Sequence, residues 1–435
     1  MLRVIGIDSI DELYRHIPET LRKRAKIDLP NGLTEVQVRR RLAALASRNK
    51  TASDWCLFLG GGIYHHFIPS AVDAVISRSE FSTSYTPYQP EVSQGTLQAL
   101  FEYQTLICQL TGMEISNAGV YDGASAAAEA VLMSRRIQPA SRRRVLVSKG
   151  LHPQYRAVIS TYLRNLTDMQ LEEVPFDASG ATDVDELARK LNDQSMCVIV
   201  GYPNFFGIVE DLGPIQTACV RTGAQLITVT AEPLALGILK PPGAWGADIA
   251  VGEGQSLGVP MTLGGPGYGF FACQKKFVRG LPGRLVGETV DSEGHRGFVL
   301  TLATREQHIR REKATSNICT SQTLCILAST VFMSLLGKTG LRRLGEVNVS
   351  RSHHARERLV NEARLEACFS GPFFNEFVLR VRNLEAVLGR CAAERIVPGV
   401  ALGQWYPVLK DCLLVCVTEM NEREEIDRVV GVIRG

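Results

Sequence analysis

A glycine-rich stretch at 246–274 contains the residue most informative about chemistry, Gln255. The apolar run at 247–251 predicts a buried strand, and a second run at 268–273 predicts a strand that returns. The glycines between them let backbone pass close to a bulky group, at φ values that other residues avoid. A lysine in such a loop could form an imine, whereas the amide nitrogen of Gln255 is not nucleophilic. The loop therefore predicts no covalent chemistry at this position.

A second candidate site is the start of a predicted helix. Asp122, Gly123, Ala124 and Ser125 open a helix predicted at 126–133. Free N–H groups and positive potential at a helix N-terminus suit an anion. An ordinary Asp or Ser cap would explain the same residues, so the sequence keeps an anion site and a simple cap as alternatives.

Two further candidates, His152 and Glu232, follow predicted strands at 145–148 and 226–229. The carboxyl edge of a parallel sheet is where α/β proteins place their sites, so both side chains are in a position to face a ligand. A structural role for both residues is the alternative that the sequence leaves open.

The polar and aromatic segment at 81–94 is the strongest functional candidate outside the strands. It has neither helical nor strand periodicity, and its prolines at 87 and 90 favour extended backbone. Long loops of this kind pack poorly and usually serve sites, although an interface loop without chemistry is the alternative. The candidate site residues of this segment are Tyr85, Tyr88, Gln89 and Glu91.

These candidates need a sheet to position them, and the order of apolar runs predicts one. Short strands at 145–147, 197–200, 226–227 and 247–251 alternate with helical stretches such as 183–192. Such alternation predicts a mostly parallel sheet that is covered by helices on both faces. The longest apolar region, 324–336, is shorter than the roughly 20 residues that span a bilayer, so it predicts a buried core helix and no membrane segment.

The N-terminal part predicts a helical arm, and a simple helical hairpin packed on its own domain is the alternative that the sequence leaves open. Its signals are capping boxes at Ser9-x-x-Glu12 and Thr34-x-x-Gln37. Apolar residues at helical spacing in the first half of the arm form a stripe that needs a partner surface. The stripe consists of Ile10, Leu13, Ile17 and Leu21.

The C-terminal part has a different pattern. Apolar residues alternate with polar ones at 377–381, and a helix at 384–395, a strand at 413–417 and a final helix capped by Asn421 follow. This order predicts a small α+β domain. The predicted domains are an N-terminal helical arm at 1–58, a large α/β domain at 59–335 and the small C-terminal domain at 336–435.

Composition narrows the class of protein. A net charge of +3 over 435 residues does not indicate a nucleic-acid-binding protein. The basic cluster at 142–144 is interpreted as a solvated helix end. Eleven scattered cysteines fit reduced thiols in the cytoplasm. The adjacent histidine pairs at 65–66 and 353–354 lack the spacing that converges on zinc, so no metal is predicted.

Four stretches together resemble one family. They are Tyr-Thr-Pro-Tyr-Gln-Pro-Glu-Val-Ser-Gln-Gly at 85–95, Tyr-Asp-Gly-Ala-Ser-Ala at 121–126, Lys-Pro-Pro-Gly-Ala-Trp-Gly-Ala-Asp at 240–248, and Thr-Arg-Glu-Gln-His-Ile-Arg-Arg-Glu-Lys-Ala-Thr-Ser-Asn-Ile-Cys-Thr at 304–320. Over nearly its whole length, the chain resembles the P-protein family of the glycine cleavage system. Within that family it is similar to the alpha subunits (subunit 1) of the split glycine dehydrogenase (decarboxylating).

The resemblance implies the aminotransferase-like fold of pyridoxal phosphate enzymes of fold type I. In this family a beta subunit carries the Schiff-base lysine and the cofactor, and the alpha subunit has the same fold without them. Glycine is decarboxylated on pyridoxal phosphate, and its aminomethyl group passes to the lipoyl arm of the H-protein. The implied protein is a cytoplasmic oxidoreductase subunit in a heterotetramer.

The resemblance also implies roles for the candidate residues. Gln255 stands at the lysine position. A degenerate cofactor pocket would be formed by Gly123, Ala124, Ser125, His152 and Glu232. A shared site at the contact between the two subunits would be lined by Tyr85, Tyr88, Gln89, Glu91, Thr315, Ser316 and Asn317, with a basic helix at 305–313 before the last three.

Two other functions stay open on the residues alone. A freestanding pyridoxal enzyme would need another lysine, such as Lys149 or Lys240, although neither stands in the loop after 247–251. A purely structural or regulatory subunit would keep the fold and the partner but would contribute no group to the reaction.

Overall fold

The computed structural model describes residues 1–25 and 28–435 and divides into two compact units, Met1–Thr51 and Ala52–Gly435. The first unit contains the helices α1 (Leu2–Ile5), α2 (Glu19–Arg24) and α3 (Glu35–Ala46), and a 3-10 turn at Ile10–Tyr14. Both predicted capping boxes are present, at Ser9 and at Thr34. The box at Ser9 starts only the 3-10 turn, however, so the expected stripe does not lie along one helix.

The second unit alternates strands and helices. Its strands are β1 (Cys56–Leu57), β2 (Ile115–Ser116), β3 (Arg144–Ser148), β4 (Gln170–Val174), β5 (Ser195–Gly201), β6 (Gln225–Thr230), β7 (Ile249–Glu253), β8 (Gly269–Cys273), β9 (Leu285–Val290), β10 (Arg296–Thr301), β11 (Glu366–Ala367), β12 (Glu376–Arg380), β13 (Ile396–Val397), β14 (Val400–Ala401) and β15 (Cys412–Cys416). Its helices are α4 (Ser70–Ile76), α5 (Ser79–Ser82), α6 (Gln94–Thr111), α7 (Gly123–Ile137), α8 (Pro153–Leu163), α9 (Val184–Lys190), α10 (Leu212–Thr222), α11 (Gln307–Arg310), α12 (Thr323–Asn361), α13 (Leu384–Ala393) and α14 (Arg423–Arg434).

A seven-stranded sheet with the order β2-β8-β7-β6-β5-β3-β4 organises this unit. Strands β3 to β7 are parallel to one another, and β8 and β2 are antiparallel to their neighbours. Alternate residues of the central strands enter two apolar cores. Val198 and Leu226 belong to one core, and Ile199 and Ile227 belong to the other. The sheet is therefore buried on both faces, which explains its nearly continuous apolar strands.

A four-stranded antiparallel sheet with the order β11-β12-β15-β14 has its own apolar core near the C-terminus. The predicted helix at 384–395 and strand at 413–417 are present as α13 and β15. The predicted cap of the last helix is wrong by one residue: Glu422 is the N-cap, and its capping-box partner is Glu425. Asn421 instead donates a hydrogen bond to the carbonyl of Leu57 at 2.9 Å, which ties this sheet to β1.

Helix α12 contains the apolar region that was predicted as a core helix, and its residues Ile326, Phe332 and Met333 are buried. The helix also passes a length and composition test for a membrane span, which core helices of soluble proteins pass as well; 39% of the apolar window is buried. Gly337 interrupts α12 with φ 58° and ψ −175°. The predicted domain boundary at 335/336 falls inside this helix and stays a prediction.

Two predictions about basic clusters are wrong. Arg144 begins β3, and Arg142 donates to the carbonyls of Ser195 and Thr222 at 2.6 and 2.8 Å, so the cluster at 142–144 is no solvated helix end. The expected basic helix at 305–313 is broken into short turns, with Arg311 at φ 53°. In both places an arginine donates to backbone carbonyls of other segments: Arg142 to Ser195 and Thr222, and Arg305 to Leu281 and Gly283.

Candidate functional site

A cavity of about 370 Å³ lies at the carboxyl edge of the seven-stranded sheet. Its lining includes Ala124 at the start of α7, His152 before α8 and Gln255 after β7. The segment at 60–62 and the loop at 264–267 provide further walls. The fold thus brings candidates that are far apart in sequence around one space. Glu232, which was expected here, is not among the described residues that line this cavity.

The side-chain amide of Gln255 is fully engaged with backbone. Its Oε1 accepts from the N–H of Tyr64 at 2.9 Å, and its Nε2 donates to the carbonyls of Tyr64 and Val259 at 3.1 and 2.8 Å. The residue is 5% exposed. Gln255 therefore fastens the segment around Tyr64 to the loop after β7, and a ligand would have to compete with these bonds.

The N-terminus of α7 is capped by two carboxyl groups of the chain itself. The N–H of Ser125 donates to Asp122 Oδ1 at 2.7 Å, and the N–H of Gly123 donates to Glu253 Oε2 at 2.9 Å. The other oxygen of Glu253 accepts from the N–H of Tyr268 at 3.1 Å. Burial raises the pKa of Glu253 to about 7. Carboxyl groups thus occupy N–H donors that a helix N-terminus can otherwise offer to an anion.

His152 is a neutral anchor for the glycine segment. Its Nε2 lies 2.7 Å from the carbonyl oxygen of Gly61, so this nitrogen carries the proton, and Nδ1 accepts from the N–H of Gln154 at 3.2 Å. Burial lowers the pKa of His152 to about 4. Its ring also packs edge-on against Phe205, with 4.7 Å between centroids. Both nitrogens are used inside the protein.

Glu232 belongs to a buried ionic network next to the sheet. Its Oε2 lies 3.0 Å from His66 Nε2, and His66 Nδ1 lies 2.9 Å from Glu419 Oε2. Burial alone would lower the pKa of His66, but the two carboxylates outweigh it and raise the pKa to about 10. Burial alone has the opposite effect on a carboxyl group and would raise the pKa of Glu419, but the hydrogen bond from His66 lowers this pKa to about 2. The network is therefore a charged carboxylate–imidazolium–carboxylate triad.

The cavity does not fit pyridoxal phosphate bound by this chain. At Gln255, the position that the resemblance compares with a Schiff-base lysine, the side chain is an amide that already makes hydrogen bonds to backbone. At the start of α7 the backbone N–H groups already donate to the carboxyl groups of Asp122 and Glu253. A phosphate placed there would have to displace these carboxyl groups. The other lysines considered above lie elsewhere: Lys149 Nζ is 3.4 Å from Glu173 Oε2, and Lys240 Nζ lies over the ring of Trp245.

Arg284, which the sequence analysis did not single out, binds one member of the second set of candidates, Tyr88. The guanidinium donates to the hydroxyl of Tyr88 at 2.7 Å and to the carbonyl of Cys319 at 2.6 Å. It also approaches the hydroxyls of Thr86 and Thr320, at 3.4 and 3.2 Å. Arg284 is 4% exposed. One buried cation therefore joins the loop at 85–91 to the segment at 315–320.

The remaining residues of this set differ in their surroundings. Tyr85 is 80% exposed and Tyr88 52% exposed. The N–H of Thr315 donates to the carbonyl of Arg305 at 3.0 Å, and Ser316 Oγ accepts from the N–H of Ile318 at 3.0 Å. Three others are exposed to solvent: Gln89, Glu91 and Asn317. Tyr88 and its neighbours thus form a polar and aromatic surface that a partner can reach.

Metal ligands do not cluster in the part of the chain that the structure describes: no group of three or more His, Cys, Asp or Glu side chains is placed to hold an ion there. Only a weak sequence signal marked the residues that were missed. Arg284 and Glu253 are single charged residues beside apolar runs and glycines. A charged residue within an apolar run is placed to be buried, and buried charges are almost always paired. The sequence therefore indicated that these two residues have partners but not which ones.

Sequence comparison places the chain among known proteins. The sequence model of the family described as "Glycine cleavage system P-protein" matches residues 1–433. The chain is 50% identical over 441 residues to the probable glycine dehydrogenase (decarboxylating) subunit 1 of Anaeromyxobacter dehalogenans. It is 47% identical over 435 residues to the protein of the same name from Carboxydothermus hydrogenoformans. Both alignments cover 100% of this chain and 97% of the relative.

Solved structures agree with the sequence comparison. A crystal structure of glycine decarboxylase (P-protein) of the glycine cleavage system, in inhibitor-bound form, matches with a TM-score of 0.91 and 44% identity, covering 100% of this chain and 96% of that one. Sphingosine-1-phosphate lyase from Burkholderia pseudomallei has a TM-score of 0.68 and 14% identity, over 94% and 92% of the two chains. Alanine–glyoxylate aminotransferase from Nostoc sp. has a TM-score of 0.60 and 16% identity, over 95% and 97%. The last two likenesses show the fold alone, and the predicted fold type I is confirmed.

Proposed function

Because the chain belongs to the P-protein family of the glycine cleavage system, we propose that it is the subunit of a glycine decarboxylase that has no covalent cofactor site of its own. The observation that carries this proposal is the environment of Gln255. Its amide is bound to the backbone of Tyr64 and Val259, at the position where the beta subunit of the resembled family would carry its Schiff-base lysine. The capped N-terminus of α7 supports the same conclusion.

The proposed partner is a beta subunit of the same fold that holds pyridoxal phosphate through its own lysine. That cofactor would supply the electron sink for the decarboxylation of glycine. The assembly would transfer the aminomethyl group to the lipoyl arm of the H-protein, whose disulfide is reduced. We further propose that the assembly is a heterotetramer in the cytoplasm, where the eleven free thiols of this chain would stay reduced.

The proposed role of this chain is to dock the partner and to complete a dry shared site. The surface around Tyr88 supports this role, because exposed polar and aromatic side chains stand there on a buried, hydrogen-bonded base. Residues proposed to line the shared site are Tyr85, Tyr88, Gln89, Glu91, Thr315, Ser316 and Asn317.

The test compares this chain alone, the lysine-bearing beta subunit alone and the two mixed. Exchange of the glycine carboxylate with labelled CO2 is measured in the presence of pyridoxal phosphate and lipoylated H-protein. We expect full exchange only in the mixture. Full exchange by this chain without a partner would refute the proposal.

A purely structural or regulatory subunit is the alternative, and the polar groups around the cavity also favour it because they are bonded to one another. The two roles differ at the surface around Tyr88. Gln89→Ala should lower the activity of the mixture while the two subunits still co-sediment. Gln89 is exposed, so its truncation removes a group that can face the partner without disturbing a core. Loss of assembly together with activity would favour the structural role.

A further inference from the structure

The backbone that carries Arg284 is fixed on three sides. The carbonyl of Arg284 accepts from the N–H of Ala118 at 2.8 Å, and the carbonyl of Pro282 accepts from Asn117 Nδ2 at 2.9 Å. The carbonyl of Gly283 accepts from Arg305 Nη2 at 3.2 Å. Arg284 therefore projects from a rigid base just before β9, so its side chain can define the position of whatever it binds.

The guanidinium of Arg284 donates hydrogen bonds to two separate segments of the chain. Nη2 reaches Tyr88 and Cys319, and Nη1 reaches Thr86 and Thr320. Its Cζ lies 5.0 Å from the centroid of the Tyr88 ring. The remaining nitrogen, Nε, lies 3.8 Å from a carboxylate oxygen of Glu306. A planar fork of this kind fixes direction as well as distance, which a lysine cannot do.

The bond to Tyr88 determines how that phenol is oriented. An arginine side chain has donors and no acceptor, so the phenolic oxygen must accept in this bond and its own proton is free for another partner. Tyr88 is 52% exposed while Arg284 is 4% exposed, so the guanidinium holds the phenol from its buried side and the rest of the Tyr88 side chain is open to solvent. The ring of His308 packs edge-on against Tyr88 at 5.9 Å and restricts the phenol further.

We propose that Arg284 is a positioning residue: it holds Tyr88 from the inside so that the phenolic hydroxyl donates outward to an oxygen acceptor in the assembled site. This inference rests on the proposed function, in which the surface around Tyr88 lines a site shared with the partner. The acceptor is a carboxylate or phosphate oxygen, of the substrate or of the cofactor.

The test uses the complex assembled with the beta subunit and four variants of this chain: Arg284→Met, Arg284→Lys, Tyr88→Phe and the double variant Arg284→Met/Tyr88→Phe. The matched control is Arg296→Met. Arg296 also pairs with a carboxylate, Glu288, and lies over a ring, that of Phe298. It is exposed, and neither of these two contacts involves Tyr88. The measurements are kcat, the KM for glycine, the pyridoxal phosphate concentration that gives half activity, and hydrogen exchange of the peptides at 84–92 and 317–321.

We expect Arg284→Met and Tyr88→Phe each to lower kcat/KM by about tenfold or more, since each removes a charge-assisted or outward hydrogen bond. The double variant should be no worse than Arg284→Met, because both changes remove the same effect. Arg284→Lys should restore part of the activity, and Arg296→Met should leave it unchanged. Arg284→Met should also speed exchange in both peptides. A raised KM for glycine would identify a substrate carboxylate as the acceptor, and a raised pyridoxal phosphate requirement would identify the cofactor phosphate.

Three results would overturn the inference. Unchanged hydrogen exchange in Arg284→Met would mean that the guanidinium does not order the loop. If the losses of activity add up in the double variant, or if Tyr88→Phe keeps full activity, Arg284 acts on something other than Tyr88. In either case an active wild-type mixture would still support the proposed function. If the wild-type mixture itself shows no activity, the proposed function fails, and an outward donor role for Tyr88 is rejected with it.

Discussion

At the scale of single residues, Gln255 allows a direct test of the cofactor argument. Gln255→Lys removes three hydrogen bonds to the backbone of Tyr64 and Val259, so we expect the free energy of unfolding to fall by about 1–3 kcal/mol. Borohydride reduction with pyridoxal phosphate should leave no stoichiometric pyridoxyl-lysine in the wild type or in the variant. Asp122 and Glu253 would still cap α7 in both proteins. Mass spectrometry after proteolysis measures the labelling.

The lysine-bearing beta subunit, treated in the same way, is the positive control and should be labelled. A single labelled lysine in the wild-type chain would overturn the interpretation of Gln255. A label at position 255 of the variant alone would show that a capped helix still accepts the phosphate, and that the missing amine was the only obstacle.

The buried triad of His66, Glu232 and Glu419 predicts a pH dependence of stability. The folded pKa of His66 is about 10 against an ordinary value of 6.5, so its contribution is complete below pH 6.5 and is lost as the pH rises towards 10. His66→Gln should therefore be less stable than the wild type at pH 6, and the difference should shrink between pH 6.5 and 10. Urea unfolding over this range measures the effect.

His295 provides the matched control for this experiment. It also lies beside a carboxylate, Asp291, but its side chain is 72% exposed, and exposed ion pairs contribute little. His295→Gln should follow the wild-type curve. A difference between His66→Gln and the wild type that stays constant over the whole range would mean that His66 is neutral in the folded protein.

Sequence reasoning located residues whose role follows from local pattern and missed those whose role depends on distant partners. Gln255 could be found because strand and loop flank it in sequence. Arg284 could not, because its partners Tyr88 and Cys319 lie 196 and 35 positions away. Glu232 was placed near the site by strand order alone, whereas its orientation depends on His66. Burial and pairing of charges are properties of the folded chain.

At the scale of elements, predictions held where one physical cause acted alone. Strands β5 and β6 could be predicted because both faces are buried, which makes the runs continuously apolar. The expected basic helix at 305–313 failed because Arg305 turns inward to the carbonyls of Leu281 and Gly283. Such tertiary hydrogen bonds outweigh helix propensity, which is worth under about 1 kcal/mol per residue.

The break in α12 gives a prediction at this scale. Gly337 has φ 58° and ψ −175°, a conformation that side chains with a Cβ avoid, although no atom within 4 Å would contact the new methyl group. Gly337→Ala should therefore lower the free energy of unfolding by about 1–3 kcal/mol through backbone strain alone. Chemical denaturation measures it.

Gly431 in α14 is the matched control, because it also has no atom within 4 Å of a new methyl group but is regular helix. Gly431→Ala should raise the free energy of unfolding by about 0.5–1 kcal/mol, since alanine has the higher helix propensity. If both variants are stabilised, α12 is continuous through Gly337 in solution.

At the scale of the whole molecule, helix α3 of the first unit has an apolar stripe. Among residues 1–25 and 28–51 no side chain is buried. Helix α3 presents Val38, Leu42 and Leu45 at helical spacing, and they are 39, 59 and 50% exposed. A helix of 12 residues is marginal in water unless a face is packed. This stripe therefore favours association with another chain.

The last prediction follows from that surface: the lone chain should self-associate or aggregate, and it should form a mixed assembly, two copies of each subunit, when co-expressed with the beta subunit. A net charge of +3 gives little repulsion against wrong association. Obligate interfaces bury roughly 2,000–5,000 Å², so a chain deprived of its partner leaves much apolar surface in water. Sedimentation velocity of the lone chain and of the mixture measures both states.

Leu42→Asp should weaken the mixed assembly, while Arg39→Asp on the same exposed helix should weaken it less, because Arg39 is already polar and pairs with Glu35. A lone chain that sediments as a stable monomer and is unchanged by the beta subunit would contradict the prediction.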